Sequence, residues 1–401
     1  MRFLRTSPIG VVVGMLAAFT GAFAQDKQAD VATVPIAYIT ERIAHVPLSL
    51  VEPILTDAGV QGARLGIADN NTTGRFLGQK FVLDEAVVPE GGDVGAAFEA
   101  LLAAGHRLIV ADLQADDLLA IADLPAARDV LIFNTRAPDD ALRNDACRAN
   151  VLHVIPSRAM RADALAQYLV WKKWRDWFLI VGAGDGDRRY AEAIRRAATK
   201  FGAEIVGARD YDAGSTARRT DTGHAQIQKQ MPVLTQGEGY DVVVVADESD
   251  LFGEYLPYRT WLPRPVVGTQ GLVPTSWHRS FEQWGATQMQ NRFHAAAGRG
   301  MSERDYTAWL AVRSIGEAAT RTDSTDAATI EAYIRGDEFA LAGFKGLALT
   351  YRAWNGQLRQ PVLLAAPRAL VSVSPQEGFL HQHSELDTLG FDRPESTCRL
   401  D

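Results

Sequence analysis

WFLIVGAGDGDRRYAEAIRRAATKFGAEIVGA, residues 177–208, reads as strand, turn, helix and strand in immediate succession. Residues 177–181 form an unbroken apolar run, and the glycines at 182, 184 and 186 make a turn. Tyr190, Ala193, Ile194, Ala197 and Phe201 then recur at helical spacing, Gly202 closes the helix, and residues 203–208 supply a second β-branched run. A strand that returns through a helix is a βαβ unit, and such units feed a parallel sheet.

The same alternation extends in both directions. Ser157 opens a helix expected to run to residue 174, and strands at 241–246 and 265–268 complete this block. An earlier block of the same kind ends near Pro156, with strands expected at 34–39, 64–68, 107–111 and 130–133. Within it Asp93 caps a helix striped by Val94, Ala97, Phe98, Leu101 and Leu102 and stopped by Gly105. Two successive parallel α/β lobes follow from this order. After Pro274 the pattern turns to long helices, at 280–297 and after Ser302, where Asp305 completes a capping box and Trp309, Val312, Ile315 and Ala319 face inward. These helices are expected to cross back over the first lobe. Asn355-Gly356 joins strands expected at 347–354 and 360–365 as a hairpin. The expected division is residues 31–155 with about 275–337 in one lobe, 156–274 with about 338–375 in the other, and 376–401 as a polar tail.

Arg2 and Arg5, the apolar stretch 9–19 and Ala22-Phe23-Ala24 have the order of a secretory signal peptide ending at residue 24. The apolar run of about 15 residues is shorter than the roughly 20 that span a bilayer. Removing it takes two arginines away and leaves 39 basic against 49 acidic residues, a formal charge of −10. That charge excludes a field for nucleic acid. A periplasmic monomer, without membrane insertion of the mature chain, is expected. Two cysteines exclude a four-cysteine zinc site, and in an oxidising compartment Cys147 and Cys398 are expected to pair.

Little here carries catalytic chemistry. The loop Gly182-Ala183-Gly184-Asp185-Gly186-Asp187 places a carboxylate where a dinucleotide loop needs its last glycine, so Asp187 is read as a helix cap. His381 and His383 lack convincingly spaced further ligands for a metal. Trp171, Trp174 and Trp177 are read as packing between layers. No motif for a catalytic nucleophile is present, so no catalytic residue, cofactor or metal is expected.

Asn134-Thr135, residues 147–155, Pro156-Ser157, Trp174-Arg175-Asp176-Trp177 and Ala203-Glu204-Ile205-Val206 together resemble the type I periplasmic binding proteins of the branched-chain amino acid (leucine/isoleucine/valine) family. The segments 351–361, 374–379, 386–390 and 394–398 resemble the subgroup associated with PQQ-dependent alcohol oxidation. The resemblance implies two α/β lobes joined by a hinge, a small-molecule ligand trapped between them, and delivery to an ABC permease of the inner membrane. A periplasmic sensor or accessory protein that presents its ligand to a kinase or an oxidation system is the other reading. Ligand loops of parallel sheets lie beyond the strand C-termini, which nominates Tyr38, Thr40, Asp112, Gln114, Asn134, Thr135, Asp185, Asp247, Glu248, Thr269 and Gln270. Where amino-acid-binding relatives have a small hydroxyl-rich loop, this chain has Asp112-Leu113-Gln114-Ala115-Asp116-Asp117, with no cation evident beside Asp112. With Asp185, Asp247 and Glu248 also acidic, a neutral or cationic ligand is expected.

Overall fold

The computed structural model describes residues 31–43, 54–212 and 221–400. The expected signal peptide lies outside them. The first lobe runs β1 (Ala32–Glu41), α1 (Val60–Leu77), β2 (Gln79–Val88), α2 (Val94–Ala103), β3 (Leu108–Asp112), α3 (Ala115–Ala122), β4 (Leu131–Asn134) and β5 (Val151–His153). Its strands pair in the order β2-β1-β3-β4-β5, all parallel. The second lobe runs α4 (Arg158–Trp171), β6 (Asp176–Gly182), α5 (Asp185–Phe201), β7 (Glu204–Tyr211), α6 (Asp221–Leu234), β8 (Val242–Ala246) and β9 (Val266–Gly268), with the parallel order β7-β6-β8-β9. Alternation of side chains along each central strand divides every lobe into two cores. Val34, Ile36 and Tyr38 of β1 enter one, while Ala37 and Ile39 enter the other; Val242 and Val244 of β8 oppose Val243 and Val245 in the same way.

The rest of the chain returns and ties the lobes together. It comprises β10 (Val273–Thr275), α7 (Ala286–Ala297), α8 (Glu303–Thr322), α9 (Ala327–Arg335), β11 (Leu341–Ala342), β12 (Ala348–Tyr351), β13 (Leu358–Arg359), β14 (Val362–Ala366) and β15 (Ala369–Ser374). α7, α8 and α9 pack into the first lobe. Phe339, Leu341, Leu349, Tyr351 and Leu358 do so too, which corrects the placement of residues 338–358 in the second lobe. The chain crosses at β14, where Leu363 faces the first core and Val362 and Leu364 face the second. The Asn355-Gly356 turn joins β12 to β13, with Gly356 at φ +67°, but the expected second arm splits: after Gln360 the chain leaves to pair with β10 and β15. Residues 376–400 are packed as well, with Leu386, Asp387, Leu389 and Cys398 buried. Arg352 and Asp387 form a buried ion pair at 2.8 Å, Asp163 holds Arg196, Lys200 and the N–H of Gly390, and Cys147 is bonded to Cys398. Trp177 is buried between layers, whereas Trp171 is half exposed.

One segment departs in kind from expectation. Residues 64–68, read as a strand, are the middle of α1. The helix carries Gly62, Gly66 and Gly74, which weaken intrinsic propensity and blur the 3.6 period. Tertiary packing overrides that cost, because the small residues let α1 press against α8. A Cβ built on Gly62 would lie 1.8 Å from the backbone oxygen of Asp305. Gly62→Ala is therefore expected to push the helices apart and cost about 1–3 kcal/mol. Thermal unfolding of the variant checks this, and an unchanged Tm would refute the close-approach account.

Candidate functional site

The loops beyond the strand C-termini of both sheets meet across a cleft of about 630 Å³. The first-lobe wall is made by the start of α3 (Gln114, Ala115, Asp116), the loop after β4 (Arg136, Pro138, Asp139) and the start of α8 (Glu303, Arg304). Opposite stand Arg158 and Arg161 of α4, Gly186, Arg189 and Tyr190 of α5, residues 247–250 after β8 and 268–270 after β9. Ile155, Val273 and Pro274, from two of the segments that connect the lobes, complete the lining.

Of the nominated residues, Gln114, Asp247, Glu248, Thr269 and Gln270 line this cleft. Tyr38, Thr40, Asp112, Asn134 and Thr135 sit behind its wall, all buried. Asp112 accepts the Tyr38 hydroxyl at 2.6 Å and the Thr40 hydroxyl at 3.2 Å, and Arg304 grips it with Nε at 3.1 Å and Nη2 at 2.5 Å. The expectation of an uncompensated charge at Asp112 is thus corrected: its cation comes from α8, 192 residues away. Burial and the neighbouring carboxylate push the Tyr38 phenol well above its ordinary range, so it stays a donor. Asn134 closes the next loop, accepting the N–H of Ala137 at 2.9 Å and donating to its carbonyl at 2.8 Å, while Thr135 donates to Ala111. That loop delivers Arg136 and Asp139 to the cleft. Asp185 is exposed outside the lining, paired with Arg188.

The remaining acids of the lining, apart from the exposed Asp116, are spoken for. Asp247 accepts three backbone N–H groups, from Leu251, Phe252 and Gly253, at 2.9, 2.9 and 2.6 Å. Burial raises its carboxyl and those bonds oppose the rise. Glu248 is held by Arg158 at 2.7 Å, and Asp139 bridges Arg158 and Arg189, each at 2.8 Å. Glu303 takes Arg161 at 2.9 Å and the N–H of Ser276. Gln270 donates to Asp250 at 3.0 Å, and Thr269 accepts the N–H of Asp247 at 3.0 Å. The acidic set thus does not make the cleft a cation trap, and the charge expectation loses its basis.

Sequence reasoning missed the arginines 136, 158, 161, 189 and 304, together with Tyr190. A signal existed: Arg158, Arg161 and Arg304 stand in first turns of helices, where positive charge opposes the helix dipole. Cations placed there need an acidic partner across space. Among the described residues, buried Tyr190 Oη and Arg161 Nε have no hydrogen-bond partner.

The family profile described as periplasmic binding protein matches residues 50–231. No curated protein matches. Among solved structures, a branched-chain amino acid ABC transporter periplasmic ligand-binding protein from Burkholderia xenovorans superposes with a TM-score of 0.67 at 18% identity, over 85% of this chain and 95% of its own. The leucine-, isoleucine-, valine-, threonine- and alanine-binding protein of Brucella ovis, in a closed conformation, gives 0.66 at 15% identity over 92% and 99%. A solute-binding protein of an ABC transporter from R. palustris, in complex with benzoate, gives 0.61 at 11% identity over 92% and 100%. The fold is that of type I periplasmic binding proteins.

Proposed function

We propose that this chain is the extracytoplasmic solute-binding subunit of an ABC importer, capturing a small polar molecule between its lobes. The observation that carries the reading is the cleft itself. Two separately cored α/β lobes each present strand-end loops to it, and a few crossing segments join them, which is the construction of a hinge. The cleft volume falls in the range of small-molecule sites. Among the described residues no helix is long and apolar enough to cross a membrane, so a separate permease would move the solute. The finer link to PQQ-dependent alcohol oxidation is supported by the C-terminal segments alone.

Small-angle scattering of the exported protein tests the reading. Saturating ligand is expected to shrink the radius of gyration, and ligand at 100 times its Kd to add about 2.7 kcal/mol of stability. Binding without any change in the scattering curve would remove hinge closure.

A further inference from the structure

We infer that the cleft takes a small organic anion, a carboxylate with no ammonium group beside it, and that Arg136 selects it; this rests on the capture reading above. The argument is one of pairing. Arg158, Arg161, Arg189 and Arg304 each have a carboxylate within 3 Å. Arg136 has none within ion-pair distance among the described residues, and its guanidinium donates only to the carbonyl of Glu41, at 3.3 Å. It is half-buried, with the like charge of Arg304 near it, and the Asp112 carboxylate that acts on it through space is already gripped by Arg304. The carboxylates of Glu41 and Asp117 act on it through space only, and neither is within ion-pair distance. A part-buried cation next to a second cation destabilises an empty protein. A bound anion removes that penalty.

The surroundings complete an anion site. Gln114, Ala115 and Asp116 bring the N-terminus of α3 to the same wall, no side chain caps it, and its first N–H groups have no intrahelical acceptor. On the opposite wall Tyr190, 2% exposed, has an Oη without a hydrogen-bond partner among the described residues, so a ligand oxygen that reaches it gains a hydrogen bond. An ammonium group finds no such place. The lining carboxylates Asp139, Asp247, Glu248 and Glu303 are already bonded to arginines or N–H groups, and Asp116, which has no partner among the described residues, is exposed to water.

Calorimetry of the exported protein with matched probes decides it. One set is 4-methylpentanoate, leucine, 3-methylbutylamine and 3-methylbutanol; the other is phenylacetate, phenethylamine and phenethyl alcohol. At least one carboxylate is expected to bind, with the amine, the alcohol and leucine at least about thirtyfold weaker. Arg136→Gln is expected to lose at least about thirtyfold for that carboxylate, Arg136→Lys to recover part of it, and the empty Arg136→Gln protein to melt no lower than the parent. Carboxylate binding untouched by Arg136→Gln would overturn the assignment. An amine or alcohol that binds best and closes the lobes would overturn it and leave capture standing. Silence from every probe, with no closure, would overturn both.

Discussion

Replacing Cys147 and Cys398 by serine is expected to lower the unfolding free energy by about 5 kcal/mol, with little change in the folded state. The bond joins residues 251 apart in sequence. In the chain-entropy picture a loop of that length removes about 5 kcal/mol of conformational freedom from the unfolded chain. The folded state does not need the bond to keep the C-terminal segment in place. Asp163 is buried and holds Arg196, Lys200 and the N–H of Gly390, and Asp387 is buried against Arg352 and Arg359. Breaking either set would leave a buried charge unpaired, so both persist when the sulfurs separate. Urea unfolding of oxidised and serine forms measures the difference, and the serine form is expected to show a steeper m-value because its unfolded chain expands further. Equal midpoints and equal slopes would show that the unfolded chain is not constrained by this link. Two alkylatable thiols in the unreduced exported protein would show that the link does not form.

The elements readable in the sequence are those whose signal is local. Ser157, Asp93 and the Ser302–Asp305 box cap the helices they were expected to cap, because a cap is decided by three or four neighbouring residues. Strands β6 and β8 are continuous apolar runs and were equally plain. α1 was hidden because its helicity is enforced from outside, by α8 pressing on glycines that on their own favour other conformations. β2 was missed because it is an edge strand whose outer half carries Asp84 and Glu85. At the cleft, strand-end positions were legible but their chemistry was not. Asp112 and Glu248 look like free acids in sequence because Arg304 and Arg158 stand 192 and 90 residues away from them. Pairing is a property of the fold, so a count of acids at strand ends predicted the wrong field.

Lys345 is expected to make stability rise with pH between about 7 and 10, by roughly 3–5 kcal/mol across the whole window. Its ammonium is buried, donating to Gln360 Oε1 at 2.9 Å and to the carbonyl of Pro361 at 2.7 Å, with the Tyr306 ring centroid 5.0 Å away. Burial lowers its pKa to about 7, opposed only in part by the charge of Glu303. An unfolded chain holds that proton up to about 10.4. Between the two values the unfolded state binds the extra proton, so raising pH favours the folded state. Below about 7 lysine is charged in both states, the penalty is present in full, and the slope from this group vanishes. Lys345→Met removes the titration but leaves two buried oxygens without a donor, at a cost of about 1–3 kcal/mol that does not vary with pH. The parent's advantage over the variant is therefore expected to be smallest near pH 6 and to widen steadily to pH 9. The placement gives this a structural consequence, since Gln360 in turn donates to the carbonyl of Val154 at 2.6 Å, so the lysine braces two of the segments that connect the lobes. Loss of its proton weakens the hold on Gln360 and Pro361 while stabilising the fold as a whole. Parallel stability profiles for parent and Lys345→Met from pH 6 to 9 would show that Lys345 does not titrate in this range.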